Sequence, residues 1–349
     1  MNIFADLHHG DLYYSLQLLF EKRLGYNIYR PIGTEWFTKG YWEIAAPYGN
    51  APDTIKQYLG IGSMVWNPYK NLNGNYVLED GIYHVYDPVH EVHNKAITIE
   101  QFKNMDIDII VASLPAHWVV YKKLRDTYKP KAKLICHMGN MWLNALNHIQ
   151  GNNLMASTSP FITHGINSVF YHQEFSLETF RYDPPNLNSA QKNINSFVIL
   201  LPQSDEYYLA KKNLPEFNFR AYGPGCPDGT ITGLRNIAKI MQESTFGWHI
   251  KPGGDGFGHI IHNWYACGRP IITNCSDYAG KLAGELLIDD KTCINLEAGS
   301  ISKNMERIRY WSEPENHMEM CKNAYNRFKE IVDFDNEIKK INEFLNRLA

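Results

Sequence analysis

From Lys251 to Thr273 the chain reads KPGGDGFGHIIHNWYACGRPIIT, and this stretch restricts the fold more than any other. It reads as a strand end, a glycine-rich loop, a helix and a return strand. Gly253, Gly254, Gly256 and Gly258 let backbone approach a ligand closely, because no Cβ stands in the way. A helix beginning near Phe257 points its unpaired N–H groups into that loop. Together with the positive end of the helix dipole they favour an anion, most simply a phosphate. Gly268, Arg269 and Pro270 end the helix, and Ile271, Ile272 and Thr273 read as a buried strand. The same pattern also serves as an ordinary strand–helix–strand unit, so the rest of the chain has to decide.

Strands alternate with helices on both sides of that stretch. Apolar runs at 2–7, 107–114, 133–136, 153–157 and 168–171 read as strands, with helices after Gly10 and over 119–129 between them. Gly25 ends the first helix, and 26–31 is the next strand. Residues 32–95 are less regular and rich in Tyr and Trp, with a hairpin around Glu79, Asp80 and Gly81. Polar, proline-containing residues 183–195 read as a linker. The pattern restarts with strands at 196–201, 217–222 and 246–250 and helices at 207–214 and 231–242, and the tail from Glu315 onward is helical. This alternation predicts an α/β chain of two doubly wound, Rossmann-like domains with parallel sheets facing a cleft. The expected division is 1–188, 189–325 and a C-terminal helix at 326–349.

Composition narrows the function classes. In 349 residues, 44% are hydrophobic and 20% charged, and the net charge is -3. No basic excess advertises nucleic acid or an anionic membrane. The N-terminus reads as a short strand and not as a signal peptide, and no run approaches the ~18 apolar residues of a membrane span. Six cysteines at 136, 226, 267, 275, 293 and 321 lack CxxC pairing. They read as reduced thiols of a cytoplasmic protein, not as zinc ligands or a disulfide framework.

The glycine loop lies late in its domain, not after the first strand. That argues against a dinucleotide-binding domain, whose glycine fingerprint opens the fold. The run Asp255-Gly256-Phe257-Gly258-His259-Ile260-Ile261-His262-Asn263, followed by Ala266-Cys267-Gly268-Arg269-Pro270, resembles the GT-B glycosyltransferases instead, and most of all their retaining family-4-type members. Those enzymes carry an acid, Gly-Phe-Gly, an apolar pair, a second acid and then Ala-x-Gly-x-Pro before a strand. Here the first acid is Asp255 where Glu is usual, and the second position holds Asn263, which still donates and accepts hydrogen bonds to a ribose. The resemblance also places Gly10 in a small-residue loop after the first strand and His137 at the end of a mid-domain strand, lining the cleft. The tail resembles the GT-B helix that crosses back to the first domain.

The resemblance implies transfer of a sugar from a nucleotide-diphosphate sugar, with a UDP-sugar favoured, to an unidentified acceptor. It implies retention of configuration and neither a metal nor another cofactor. Negative charge grows on the diphosphate as the glycosidic bond breaks, and protein cations with backbone N–H groups answer it. Lys251, Asp255 and His137 are the expected catalytic set. Gly10, Gly254, Gly256, Phe257, Gly258, His259 and Asn263 are the expected donor-binding set. His8, His9 and His117 are expected on the acceptor side. The acceptor stays open among a glycan, a small molecule and modified DNA. A DNA-base glucosyltransferase of the phage type and a non-catalytic nucleotide-sugar-binding module are the alternatives.

Overall fold

The computed structural model describes residues 1–5, 10–32, 76–113, 115–139, 152–158, 165–185, 192–197 and 204–348; of 115–117, 119, 120 and 204 it describes the backbone alone. The chain divides into two compact units, Met1–Phe175 with Phe334–Ala349, and Ser176–Asp333.

In the first unit β1 (Asn2–Ala5) precedes α1 (Gly10–Gln17), which widens into a π-helical turn (Leu18–Arg23) and ends at Gly25, φ 68°. Next come β2 (Asn27–Pro31), β3 (Tyr76–Glu79), β4 (Ile82–Asp87), β5 (Val92–Ile97), α2 (Ile99–Asn104) and β6 (Ile109–Ala112). Then follow α3 (Pro115–Tyr128), β7 (Lys133–Met138), β8 (Asn153–Ala156) and β9 (Asn167–Phe170). The nine strands form one sheet in the order β3-β4-β5-β2-β1-β6-β7-β8-β9. The expected hairpin joins β3 to β4 through Asp80 and Gly81, both at positive φ, as a two-residue turn requires. It makes an antiparallel edge on an otherwise parallel sheet. The aromatic residues expected at 33–75 lie outside the described residues.

Side chains alternate across this sheet, so one strand feeds two cores. Phe4 of β1 joins Ile110, Trp118 and Leu134 on one face. Ile3 and Ala5 join Leu12 and Leu16 of α1 on the other.

The second unit runs β10 (Lys192–Ser196), α4 (Ser204–Asn213), β11 (Phe217–Ala221), α5 (Leu234–Gln242), β12 (Phe246–Trp248), α6 (His259–Ala266), β13 (Ile271–Thr273), β14 (Cys293–Asn295), α7 (Ile301–Ser312) and α8 (Pro314–Ile331). Its five strands are all parallel, in the order β11-β10-β12-β13-β14. The first strand of this unit stands at Lys192–Ser196, ahead of the expected 196–201. Its polar residues misled the reading, because they are matched by partners: Asn195 Nδ2 donates to Ser244 Oγ (2.7 Å), and Asn193 O accepts from the Thr245 N–H (2.8 Å). The apolar residues 198–201 lie outside the described residues.

The last helix, α9 (Phe334–Asn346), belongs to the first unit, where Ile341, Phe344 and Leu345 pack with α1. The break therefore falls at 333/334, not at 325/326, because Met320, Cys321, Ala324 and Phe328 of α8 are buried in the second unit. The earlier break falls at 175/176, not at 188/189. Arg181 O accepts from Gln242 Nε2, Tyr182 stacks on Tyr325 at 4.4 Å, and Asp183 O accepts from Arg269 Nη1 at 2.6 Å. Those contacts tie 181–183 to the second unit. All six cysteines are free thiols; Cys226 and Cys275 are half-buried and the other four buried. Among the described residues no helix is long and apolar enough to cross a membrane.

Candidate functional site

Strand order places a site in the second unit before any side chain is considered. The chain leaves β10 to one side for β11, then crosses to the other side for β12. Such a reversal of strand order is where open α/β sheets hold ligands. The loop after β12 is the glycine-rich stretch.

That loop is held from below by the turn after β13. The Gly253 N–H donates to Asp277 Oδ1 at 2.8 Å, and the Gly254 N–H donates to the Lys251 carbonyl at 2.8 Å. Lys281 Nζ donates to the carbonyls of Gly253 and of Asp277, the latter at 3.0 Å. Gly254, at φ 62°, has no room for a side chain. A Cβ there would penetrate the Asp277 carbonyl oxygen and stand 2.8 Å from Lys281 Nζ. Two of the loop's N–H groups are thus spent inside the protein. The donors that face outward are to be sought further along, where α6 begins.

Helix α6 starts at His259, two residues later than expected, because Gly258 caps it in the left-handed region at φ 78°. The Gly258 carbonyl accepts from the His262 N–H (3.2 Å) and lies 2.9 Å from His262 Nδ1. Phe257 is 3% exposed and stacks on the His262 ring at 4.1 Å, so its ring is turned into the protein. Gly256 is buried and His259 is half-buried. Asn263 is 7% exposed, and its Oδ1 has no hydrogen-bond partner among the described residues. An acceptor left unmatched at that depth costs stability unless something else fills it.

Asp255 stands at the centre. His249 Nε2 approaches Asp255 Oδ2 at 3.1 Å, and Lys251 Nζ forms an ion pair with Asp255 Oδ1. Burial pushes the carboxyl up. The hydrogen bond from His249 and the charges of His249 and Lys251 outweigh it and hold the carboxyl well below the usual carboxylate range. Burial lowers the Lys281 ammonium, which Asp255 and Asp277 partly restore. Glu206, in the first turn of α4, is pushed up by burial and by the charges of Asp277 and Asp205, so the start of α4 also borders this turn.

Lys251, Gly254, Asp255, Gly256, Gly258 and His259 thus share one loop, with Asn263 on the helix it opens. Sequence reading missed His249, Asp277 and Lys281. His249 directly follows β12, the strand that precedes the loop, which was a usable signal. Asp277 and Lys281 follow a different strand, and nothing local announced them.

The residues expected in the first unit fare differently. His137 is 1% exposed, with Nε2 2.8 Å from the Tyr171 hydroxyl. Its ring stands edge-on to that of Tyr171, with centroids 5.9 Å apart. Gly10 opens α1, and a Cβ on it would come within 3.2 Å of His90. His8 and His9 lie outside the described residues, as does the side chain of His117, whose backbone is in the first turn of α3. Unforeseen beside Gly10 is a buried His90 between two carboxylates, Asp87 Oδ2 at 2.7 Å and Asp11 Oδ1 at 2.9 Å.

No protein-family model matches the chain, and no curated protein sequence does. Solved structures do resemble it over its full length. The Anabaena protein HepE in complex with UDP-glucose superposes with a TM-score of 0.63 at 12% identity, covering 100% of both chains. An alpha-glucosyltransferase in complex with UDP-glucose and DNA containing an abasic site gives 0.60 at 12% identity over 99% of both chains. A glycosyltransferase from Rickettsia africae gives 0.59 at 12% identity over 99% of both chains. A likeness at that identity speaks for architecture alone, and by that architecture this chain has the GT-B fold.

Proposed function

We propose that the second unit binds a nucleotide-diphosphate sugar, with UDP-sugars favoured, and that the protein is a glycosyltransferase passing the sugar to an acceptor. The observation that carries this reading is Asp255: an ionised carboxylate at the mouth of a glycine loop, with cations on both sides of that loop, at the strand-order reversal. Asp255 accepts hydrogen bonds from hydroxyls of the sugar. Lys251 and the first N–H groups of α6 meet the diphosphate, where negative charge grows as the anomeric carbon–oxygen bond breaks. Lys281 adds positive potential from beneath the loop. Asn263 Oδ1, lacking a protein partner, accepts from a ribose hydroxyl. In this reading the protein's own cations do the work for which other enzymes use a metal, and transfer proceeds with retention. His8, His9 and His117 remain the acceptor-side candidates, with His137 as the first unit's contribution to the catalytic set.

A DNA base is a second acceptor class, favoured by a similar structure that holds DNA beside UDP-glucose. The net charge of -3 weighs against it.

Thermal-shift titration with UDP, GDP, ADP and their sugar derivatives, on wild type and Lys251→Ala, tests the donor site. Ligand at a hundred times its Kd stabilises the folded state by about 2.7 kcal/mol. One nucleotide series is expected to raise the unfolding temperature, and Lys251→Ala to lose most of that rise. No shift with any of them sinks the donor reading. A shift without turnover against glycan, small-molecule and DNA acceptors favours a binding module.

A further inference from the structure

The two partners of Asp255 are not equivalent. The Lys251 side chain is 38% exposed and bonds to Asp255. The His249 side chain is 2% exposed and its backbone is fixed to β13 from both sides. Its N–H donates to the Ile272 carbonyl at 3.0 Å, and its own carbonyl accepts from Thr273 Oγ1 at 2.6 Å. Its ring lies 6.1 Å from that of Tyr278. Nδ1 is buried and has no hydrogen-bond partner among the described residues, so Nε2 is the nitrogen that donates, and it donates to Asp255. One partner is a long, half-exposed arm; the other is part of the sheet.

We propose that His249 is the positioning residue of the donor site: it keeps Asp255 oriented when Lys251 leaves the carboxylate to meet an anionic diphosphate. The inference rests on the donor-site reading above. Lys251 cannot serve the carboxylate and a phosphate equally, because both oxyanions compete for one ammonium. Once the lysine is shared, burial acts against an ionised Asp255, while the Lys281 ammonium, which feels both Asp255 and Asp277, favours it and Tyr278 stays neutral. The hydrogen bond from His249 is then the remaining contact that fixes the direction of the carboxylate. It leaves the other oxygen turned towards the sugar. Without His249, Asp255 has Lys251 alone, retains it, and loses its orientation whenever the lysine departs.

The test compares UDP with UDP-glucose on the full chain, as wild type, His249→Leu and His249→Gln, at neutral pH. The quantity read is the gain in affinity that the glucose confers over UDP alone, because only the sugar depends on Asp255. Wild type is expected to show such a gain. His249→Leu is expected to bind UDP nearly as well but to lose about tenfold of the gain. His249→Gln carries an amide N–H about where imidazole Nε2 stands, and it is expected to restore the gain. Thermal unfolding of each variant in the absence of ligand reports whether it folds. If His249→Leu does not fold, the comparison of His249→Gln with wild type decides, and full gain is the supporting outcome. Equal loss of UDP and UDP-glucose affinity in both variants overturns the inference, since it marks a structural role only. A wild-type gain in folded His249→Leu also overturns it, while leaving the donor site intact. A wild type that binds neither UDP nor UDP-glucose removes the donor reading and the inference together.

Discussion

Gly253 and Gly254 sit side by side with nearly the same backbone and quite different surroundings. Both have positive φ, at 71° and 62°. A Cβ on Gly253 meets nothing within 4 Å, whereas one on Gly254 runs into the Asp277 carbonyl and Lys281 Nζ. Gly253→Ala is therefore expected to cost only the left-handed penalty of about 1 kcal/mol. Gly254→Ala adds a collision with backbone, and about 3 kcal/mol or more is expected. Urea unfolding of the two variants measures the difference; equal costs contradict the described loop. Both glycines were legible in the sequence, because a run of glycines announces unusual φ wherever it occurs. The reason for the second was not, since Asp277 and Lys281 arrive from another strand. Likewise Asp255 was legible as an acid before a Gly-Phe-Gly loop; the place of His249 after β12 was a signal too, but its contact with Asp255 was not legible, since a position along the chain does not name its partner. Phe257 was drawn towards the ligand by its place in the motif, and the structure turns its ring onto His262 instead.

Helix α6 and strand β12 show how elements are fitted together. Gly247 stands in the middle of β12 because Trp264 of α6 lies flat against it. A Cβ on Gly247 would come within 2.5 Å of the indole ring. Both residues are in the interior, with Trp264 0% exposed. Gly247→Ala is expected to destabilise by about 2–3 kcal/mol through overpacking. Trp264→Leu is expected to cost about 3 kcal/mol by opening a cavity. The double variant is expected to cost less than the sum, since each change makes room for the other. A double-mutant cycle by denaturant unfolding gives the coupling, and simple additivity refutes the packing. The sheet's alternation was legible because apolar strands bounded by glycine declare themselves locally. The position of β10 was not, because Asn193 and Asn195 are strand residues only by virtue of the partners the fold supplies.

Across the whole chain two buried histidines pull stability in opposite directions with pH. Burial alone lowers the pKa of His90, but the hydrogen bonds and charges of Asp11 and Asp87 overcome this and raise it to about 9. Its unfolded value is about 6.5, so its contribution is complete below pH 6.5 and is lost as pH climbs towards 9. His317 is the opposite case. Burial holds it down to about 4, helped by the charges of Arg269 and Lys192, although it hydrogen-bonds the Thr245 carbonyl. The folded state resists the proton that the unfolded chain accepts, so stability falls as pH drops from 6.5 towards 4. Each shift corresponds to roughly 3 kcal/mol. Hydrogen exchange at several pH values is expected to show the first unit loosening above pH 7 and the second below pH 6. His90→Gln and His317→Gln are expected to flatten the respective limb, and limbs that persist in these variants contradict the assignment. Nothing in the sequence marked either histidine, because a pKa is set by neighbours that are distant along the chain. The sequence by itself determined the two doubly wound units, the glycine loop and its acid, since period, turn residues and φ demands are local properties. Only the tertiary structure decided where the units divide and that His249, Asp277 and Lys281 converge on the loop. Those depend on which faces pack together, and burial is a property of the whole fold rather than of any segment.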